Sequence, residues 1–73
     1  MISSIVLEEA GFDYDSSENL FVRRGSMDTF VGVRINVVGI EVSVCGVSDE
    51  QYDTIATFQT LEETFKFINK EGL

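Results

Sequence analysis

The feature that most constrains the fold is a strict alternation of apolar and other residues through the middle of the chain. The apolar positions are Val31, Val33, Ile35 and Val37, followed by Ile40, Val42 and Val44. The intervening positions are Gly32, Arg34, Asn36, Glu41 and Ser43. A period of two residues is typical of a β-strand with one buried face. The alternation therefore predicts two strands that form a hairpin and share an apolar face.

The register of this hairpin depends on where its turn lies. A two-residue turn at Val38 and Gly39 brings both apolar sets onto one face, and glycine is common in such turns. The predicted pairs are Val37 with Ile40, Ile35 with Val42, Val33 with Val44, Arg34 with Ser43, and Gly32 with Cys45. The second face of the hairpin is then mixed and mostly polar.

The C-terminal segment predicts a helix whose two ends can be recognised. Thr60 and Glu63 have the spacing of a capping box, and Gly72 follows the last turn. The apolar stripe of this helix consists of Leu61, Phe65 and Ile68. Because these residues are spaced at i, i+4 and i+7, we expect them to cover the valine-rich face of the sheet.

The remaining segments complete an α+β prediction. Further strands are expected at 20–24 and 54–58, with a short one at 12–14, and a short helix is expected at 4–10. The predicted fold is a three- to five-stranded antiparallel sheet with one face covered by a C-terminal helix and by a short N-terminal helix. A chain of 73 residues is expected to form one small acidic domain over residues 1–73.

The charge of the chain is strongly negative and unevenly distributed. Thirteen acidic residues face five basic residues and no histidine, which gives a net charge of −8. The first acidic segment contains Glu8, Glu9, Asp13, Asp15 and Glu18, and the second contains Asp49, Glu50 and Asp53. No basic residue precedes Arg23, and none lies between Arg34 and Lys66. Such a charge repels nucleic acid and attracts basic partners, so no direct nucleic-acid binding is expected.

The residue types present argue against catalysis and against a bound cofactor. Without histidine, and with Cys45 as the single cysteine, a tetrahedral zinc site or an imidazole-activated nucleophile cannot be assembled within one chain. The polar residues at 13, 15, 17 and 19 match a calcium loop only in part, because Glu18 and Arg24 occupy the places of its glycine and its bidentate glutamate. We therefore predict no enzyme, no cofactor and no metal site, and a small-ligand or divalent-ion binder is the weakest alternative.

The sequence also bears on location. No apolar run has the length of a membrane span, and the first residues lack the basic start and apolar stretch of a signal peptide. A single cysteine cannot form the disulfides that small extracellular domains commonly need. We expect a cytoplasmic protein without a membrane partner.

Together these observations predict a non-enzymatic protein-binding module, comparable to phage-type accessory or inhibitor proteins, whose acidic surface meets a basic protein. The candidate partner-binding residues are Asp13, Asp15, Glu18, Asp49, Glu50, Asp53, Phe30 and Arg34. Phe30 is included as an apolar anchor on the open sheet face beside Arg34, since Phe21, Phe30 and Phe67 fall off the predicted apolar stripes. One alternative is a nucleic-acid mimic of the anti-restriction or anti-CRISPR type. Others are acidity that serves solubility alone and a homodimer through a sheet edge.

Overall fold

The computed structural model describes residues 2–73, and for residue 2 only the backbone. The elements are α1 (Ile2–Glu9), β1 (Asp13–Asp15), β2 (Leu20–Arg24), β3 (Thr29–Asn36), β4 (Gly39–Gly46), β5 (Asp53–Phe58) and α2 (Leu61–Glu71). The five strands form one sheet in the order β1-β2-β3-β4-β5, and all neighbours are antiparallel. The α+β prediction is confirmed, including the short first strand and the N-terminal helix.

The predicted register of the β3–β4 hairpin was wrong by two residues. Val37 and Val38 form the turn, and Asn36 pairs with Gly39. The observed pairs that follow are Ile35 with Ile40, Arg34 with Glu41, Val33 with Val42, Gly32 with Ser43, Val31 with Val44, and Phe30 with Cys45. An even shift preserves the alternation, so the apolar residues of both strands still share one face. Val37 leaves the strand and is fully exposed.

The chemistry of Asn36 explains the position of the turn. Its Oδ1 accepts hydrogen bonds from the backbone N–H groups of Val38 at 3.0 Å and Gly39 at 3.1 Å. Asparagine at the first position and glycine at the fourth are the preferences of a type I turn. Gly39 has φ of 153°, and a Cβ there would lie 2.8 Å from the Phe58 carbonyl oxygen, so glycine is required.

Both helices pack on the same face of the sheet, which we call the helix face. The core on this face consists of Leu7, Phe12, Val31, Val33, Ile40, Val42 and Ile68. Partly buried side chains around it are Phe21, Ile35, Phe58, Leu61, Phe65, Phe67 and Leu73. The expectation that Phe21 and Phe67 lie off the apolar stripes is wrong, because the Phe21 ring lies 5.1 Å from Tyr14 and the Phe67 ring 5.2 Å from Phe58.

The ends of α2 are as predicted. The Thr60 hydroxyl oxygen accepts from the N–H of Glu63 at 3.1 Å, and the Glu63 carboxylate accepts from the N–H of Thr60 at 3.2 Å. Gly72 ends the helix with φ of 70°. These caps satisfy backbone groups that would otherwise lack partners, each cap contributing about 1 kcal/mol. Within residues 2–73, neither helix is long and apolar enough to cross a bilayer.

The opposite side of the sheet, which we call the open face, carries a second small cluster that the sequence analysis did not predict. The chain after β4 folds back so that Tyr52 lies over Gly32, where a Cβ would come within 3.3 Å of its ring and 3.2 Å of Leu20. Leu20 and Cys45 are buried on this face. We call Leu20, Gly32, Cys45 and Tyr52 the Tyr52 cluster. Glycine at position 32 leaves room for the Tyr52 ring to lie against the strand.

The packing of α1 yields a direct test of the fold. Leu7 is fully buried, whereas Ile5 on the same helix is 53% exposed. Leu7→Ala is expected to lower the free energy of unfolding by about 2–5 kcal/mol, because it leaves a cavity in the core. Ile5→Ala is expected to change it by no more than about 0.5 kcal/mol. Urea denaturation of both variants measures the difference, and equal effects would show that α1 does not dock through Leu7.

Candidate protein-binding surface

The first acidic segment contributes two carboxylates to the open face. Asp13 pairs with Val22, which pairs in turn with Gly32, so these residues point to the same side of the sheet. Asp15 pairs with Leu20 and points to the same side. Tyr14, which lies between the two acids, points to the helix face and contacts Phe21. The alternation within β1 therefore separates the aspartates from the tyrosine.

The carboxylate of Asp15 is held in the turn that follows β1. Its Oδ1 accepts the Ser17 hydroxyl at 2.6 Å and the Ser17 N–H at 3.0 Å. The hydrogen bond from the Ser17 side chain is the main reason that the pKa of Asp15 is lowered, although partial burial opposes the shift. Asp15 is therefore ionised at neutral pH and fixed in orientation.

The backbone of Glu18 is positioned by Arg34, which lies on β3. The Arg34 Nη2 donates to the Glu18 carbonyl oxygen at 3.1 Å, and Nε donates to the Asn19 carbonyl oxygen at 3.4 Å. Its Nη1 lies 3.8 Å from Oε1 of Glu41. Asn19 has φ of 55°, a conformation that asparagine tolerates better than most residues. Arg34 thus holds the backbone that carries Glu18, and its charge is partly neutralised by Glu41.

Asp49 and Glu50 of the second acidic segment lie in the loop between β4 and β5, and Asp53 is the first residue of β5. Asp49 donates its backbone N–H to the Gly46 carbonyl oxygen at 2.9 Å, which closes a tight turn after β4. The Cys45 Sγ lies 3.5 Å from the Asp49 carbonyl oxygen. Asp49 and Glu50 are exposed on this loop, whereas the Tyr52 side chain returns to the sheet over Gly32. The loop is therefore attached to the open face at Cys45 and at Tyr52.

Asp15 and Glu18 of the first acidic segment approach the second segment around these two attachment points, whereas Glu8 and Glu9 lie on α1. Burial raises the pKa of the Cys45 thiol, and the charges of Asp49, Asp53 and Glu18 raise it further. Burial also raises the pKa of Tyr52, with added contributions from Cys45, Asp15 and Glu18. The pairing agrees with this proximity, because Asp15 pairs with Leu20, and Leu20 and Tyr52 both lie within 3.3 Å of the position that a Cβ of Gly32 would take. We call Asp13, Asp15, Glu18, Asp49 and Glu50, with Asp53 at their margin, the acidic surface.

Asp53 differs from the other members in its orientation. It pairs with Val44, and the alternation assigns it to the helix face at the end of the sheet. It also lines a shallow surface hollow with Ser48, Asp49, Glu50 and Gln51. Within the described part of the chain, no group of three or more acidic, cysteine or histidine side chains is arranged to hold a metal ion.

Phe30 lies on the open face, where it pairs with Arg24 and Cys45. The Arg24 guanidinium lies 5.5 Å from the centre of the Phe30 ring and bonds Asp28 at 2.9 Å. Phe30 and Arg34 are separated on this face by Gly32 and the ring above it. The cationic neighbour of Phe30 is thus Arg24, which sequence reasoning missed because it did not extend the register to β2.

Tyr52 is the other residue that sequence reasoning missed. It follows a polar stretch without strand or helix periodicity, and the only available signal was an aromatic residue within an otherwise polar loop. The position that its ring contacts, Gly32, lies 20 residues earlier in the chain, so no local pattern connects the two residues.

Comparisons of the chain with protein-family models, with curated protein sequences and with solved structures found no match.

The convergence of the acidic segments can be tested through the reactivity of Cys45. Burial shields the Cys45 thiol and also raises its pKa, which leaves less thiolate, so alkylation by iodoacetamide at pH 8 is expected to be slower than in the unfolded chain. Glu18→Gln is expected to accelerate the reaction roughly twofold at low salt, the effect of one charge about 10 Å away in water. Glu9→Gln serves as the control. If Glu18→Gln and the native chain are alkylated at the same rate at low salt, the Glu18 charge does not lie near Cys45.

Proposed function

We propose that this chain is a non-enzymatic protein-binding module that docks its acidic surface against a basic surface of a larger protein, as an accessory or inhibitor protein of phage type. The observation that supports the proposal is the convergence of two acidic segments, 31 residues apart between Glu18 and Asp49, around Cys45 and Tyr52. The two segments approach each other on the sheet face that α1 and α2 leave open. Only the folded chain joins them, which favours recognition by shape as well as by charge.

The attachment of these carboxylates to the sheet favours specific binding. Asp13 and Asp15 lie on a strand, and the Glu18 backbone is held by Arg34. A carboxylate that is already positioned loses little conformational freedom when it accepts hydrogen bonds from arginine or lysine. Such a surface also accelerates encounter with an oppositely charged partner.

Two aromatic side chains give the same face an apolar part. Phe30 and Tyr52 are both half-buried, and acidic residues surround the Tyr52 cluster. Aromatic residues surrounded by polar groups are frequent energetic centres of protein interfaces. In this proposal Phe30 and Tyr52 each anchor the contact with the partner protein, and the carboxylates orient that contact.

A narrower form of the proposal takes the partner to be a nucleic-acid-binding protein whose basic groove the acidic surface occupies. Carboxylates on a sheet would then replace phosphates, and binding would release the partner's counterions. The net charge of −8 supports this form. Displacement of the captured partner by a DNA or RNA oligonucleotide distinguishes it from a contact outside the groove.

The test compares two double variants with the same change in net charge. Glu18→Lys with Glu50→Lys reverses charge on the acidic surface, and Glu9→Lys with Glu71→Lys reverses it on the helices. All four side chains are exposed. The immobilised proteins are used to capture partners from a lysate of the source organism at about 50–500 mM salt, with identification by mass spectrometry.

We expect the native chain and the Glu9/Glu71 variant to capture the same partner. The Glu18/Glu50 variant is expected to lose it by at least about tenfold, and rising salt is expected to weaken it. Retention by the Glu18/Glu50 variant, or equal loss in the two variants, would contradict docking through the acidic surface.

A further inference from the structure

A groove on the helix face lies apart from the acidic surface. It is lined by Ser4, Glu8, Tyr14, Asn19, Phe21 and Ile35 and has a volume of about 430 Å³. We call it the α1 groove, because α1 forms one wall and strands β1 to β3 form the floor. Pockets for small ligands and anchoring side chains commonly begin at about 300 Å³. The groove is therefore large enough for one bulky side chain.

The floor of the α1 groove is mostly apolar, and the Tyr14 ring on it is held in place. Phe21 and Ile35 pack against the core from below. The Tyr14 ring lies 5.1 Å from Phe21, and its hydroxyl donates to Oδ1 of Asn19 at 2.6 Å. Tyr14 is nevertheless 51% exposed. A ring fixed at both ends and open to solvent provides preformed apolar surface, which reduces the cost of binding.

Exposed apolar residues continue beyond the groove. Ile5, next to the Ser4–Glu8 stripe of α1, is 53% exposed. Val37 and Val38, which follow Ile35 at the hairpin tip, are 103% and 69% exposed. α1 and the β3–β4 hairpin thus carry exposed apolar side chains besides those of the groove, and exposed apolar surface is typical of protein interaction sites.

The charge of the groove indicates what would occupy it. Among the described residues that line it, Glu8 is the only charged one, and Glu9 follows on the same helix. We propose that the α1 groove binds an apolar side chain, of leucine or phenylalanine size, on a partner-protein segment that also carries lysine or arginine. The apolar side chain fills the space against Tyr14, Phe21 and Ile35, and the cation pairs with Glu8.

The experiment is a titration of ¹⁵N-labelled protein followed by NMR. Three capped five-residue peptides are compared: Ala-Lys-Leu-Lys-Ala, the same peptide with alanine in place of leucine, and the same peptide with glutamate in place of both lysines. The first is expected to shift the backbone amides of Tyr14, Phe21 and Ile35 saturably, with Kd on the order of 1 mM. The other two are expected to bind at least about fivefold more weakly.

Variants assign the effect to the groove. Glu8→Gln removes the charge without touching the core and is expected to weaken the lysine peptide about threefold or more, while Glu71→Gln leaves it unchanged. Tyr14→Ala is expected to abolish the preference for leucine over alanine. No saturable shifts up to about 10 mM, equal binding of the three peptides, or shifts confined to the acidic surface would overturn the proposal. Partner capture by the acidic surface is a separate measurement, so the two proposals can fail independently.

Discussion

One-sided burial of the β3–β4 hairpin is the constraint on which the rest of the structure depends. Val31, Val33 and Val42 are completely buried beneath two helices, and a strand can place only alternate residues on that side. The intervening residues must therefore share the open face, along with the residues of neighbouring strands that pair with them. The acidic surface is in this sense set by the core, because the pairing that buries the valines also directs Asp13 and Asp15 outward.

The cations of the chain are used locally, which leaves the negative charge of the open face largely unbalanced. Arg24 bonds Asp28, Lys66 bonds Glu62, and Arg23 donates to the Leu73 carbonyl oxygen at 3.0 Å while lying over the Phe12 ring. The exposed pairs contribute little to stability, about 0–1 kcal/mol each. Their larger effect is on the electrostatic field, since each pair neutralises an acid away from the acidic surface. Arg34 lies beside the converging carboxylates, but it donates to backbone carbonyl oxygens and its charge is partly neutralised by Glu41.

Local sequence patterns predicted the helices and strands, whereas features that depend on contacts between distant residues were not predicted. Alternation was sufficient for β3 and β4, and the caps were sufficient for both ends of α2, because these signals lie within a few residues of each other. The other strands were expected from their β-branched and aromatic residues, which left the number of strands between three and five. The hairpin register was missed because an even shift leaves every apolar residue on the same face, so only the Asn36 side chain decides it. Tyr52 was missed because its position depends on a glycine 20 residues earlier in the chain. The α1 groove combines three separate segments and has no signature in any one of them.

The spatial order of the strands has a consequence for how the chain folds. Because each strand pairs with its neighbour in sequence, every step of sheet formation closes only a short loop and costs little chain entropy. Distant parts of the chain are joined by the core that Leu7 shares with Ile68, and by the hydrogen bond from Arg23 to Leu73 across 50 residues. The sheet can thus assemble by successive zipping from the β3–β4 hairpin, and α2 then packs on β4 and β5 and brings the residues that follow it to β2.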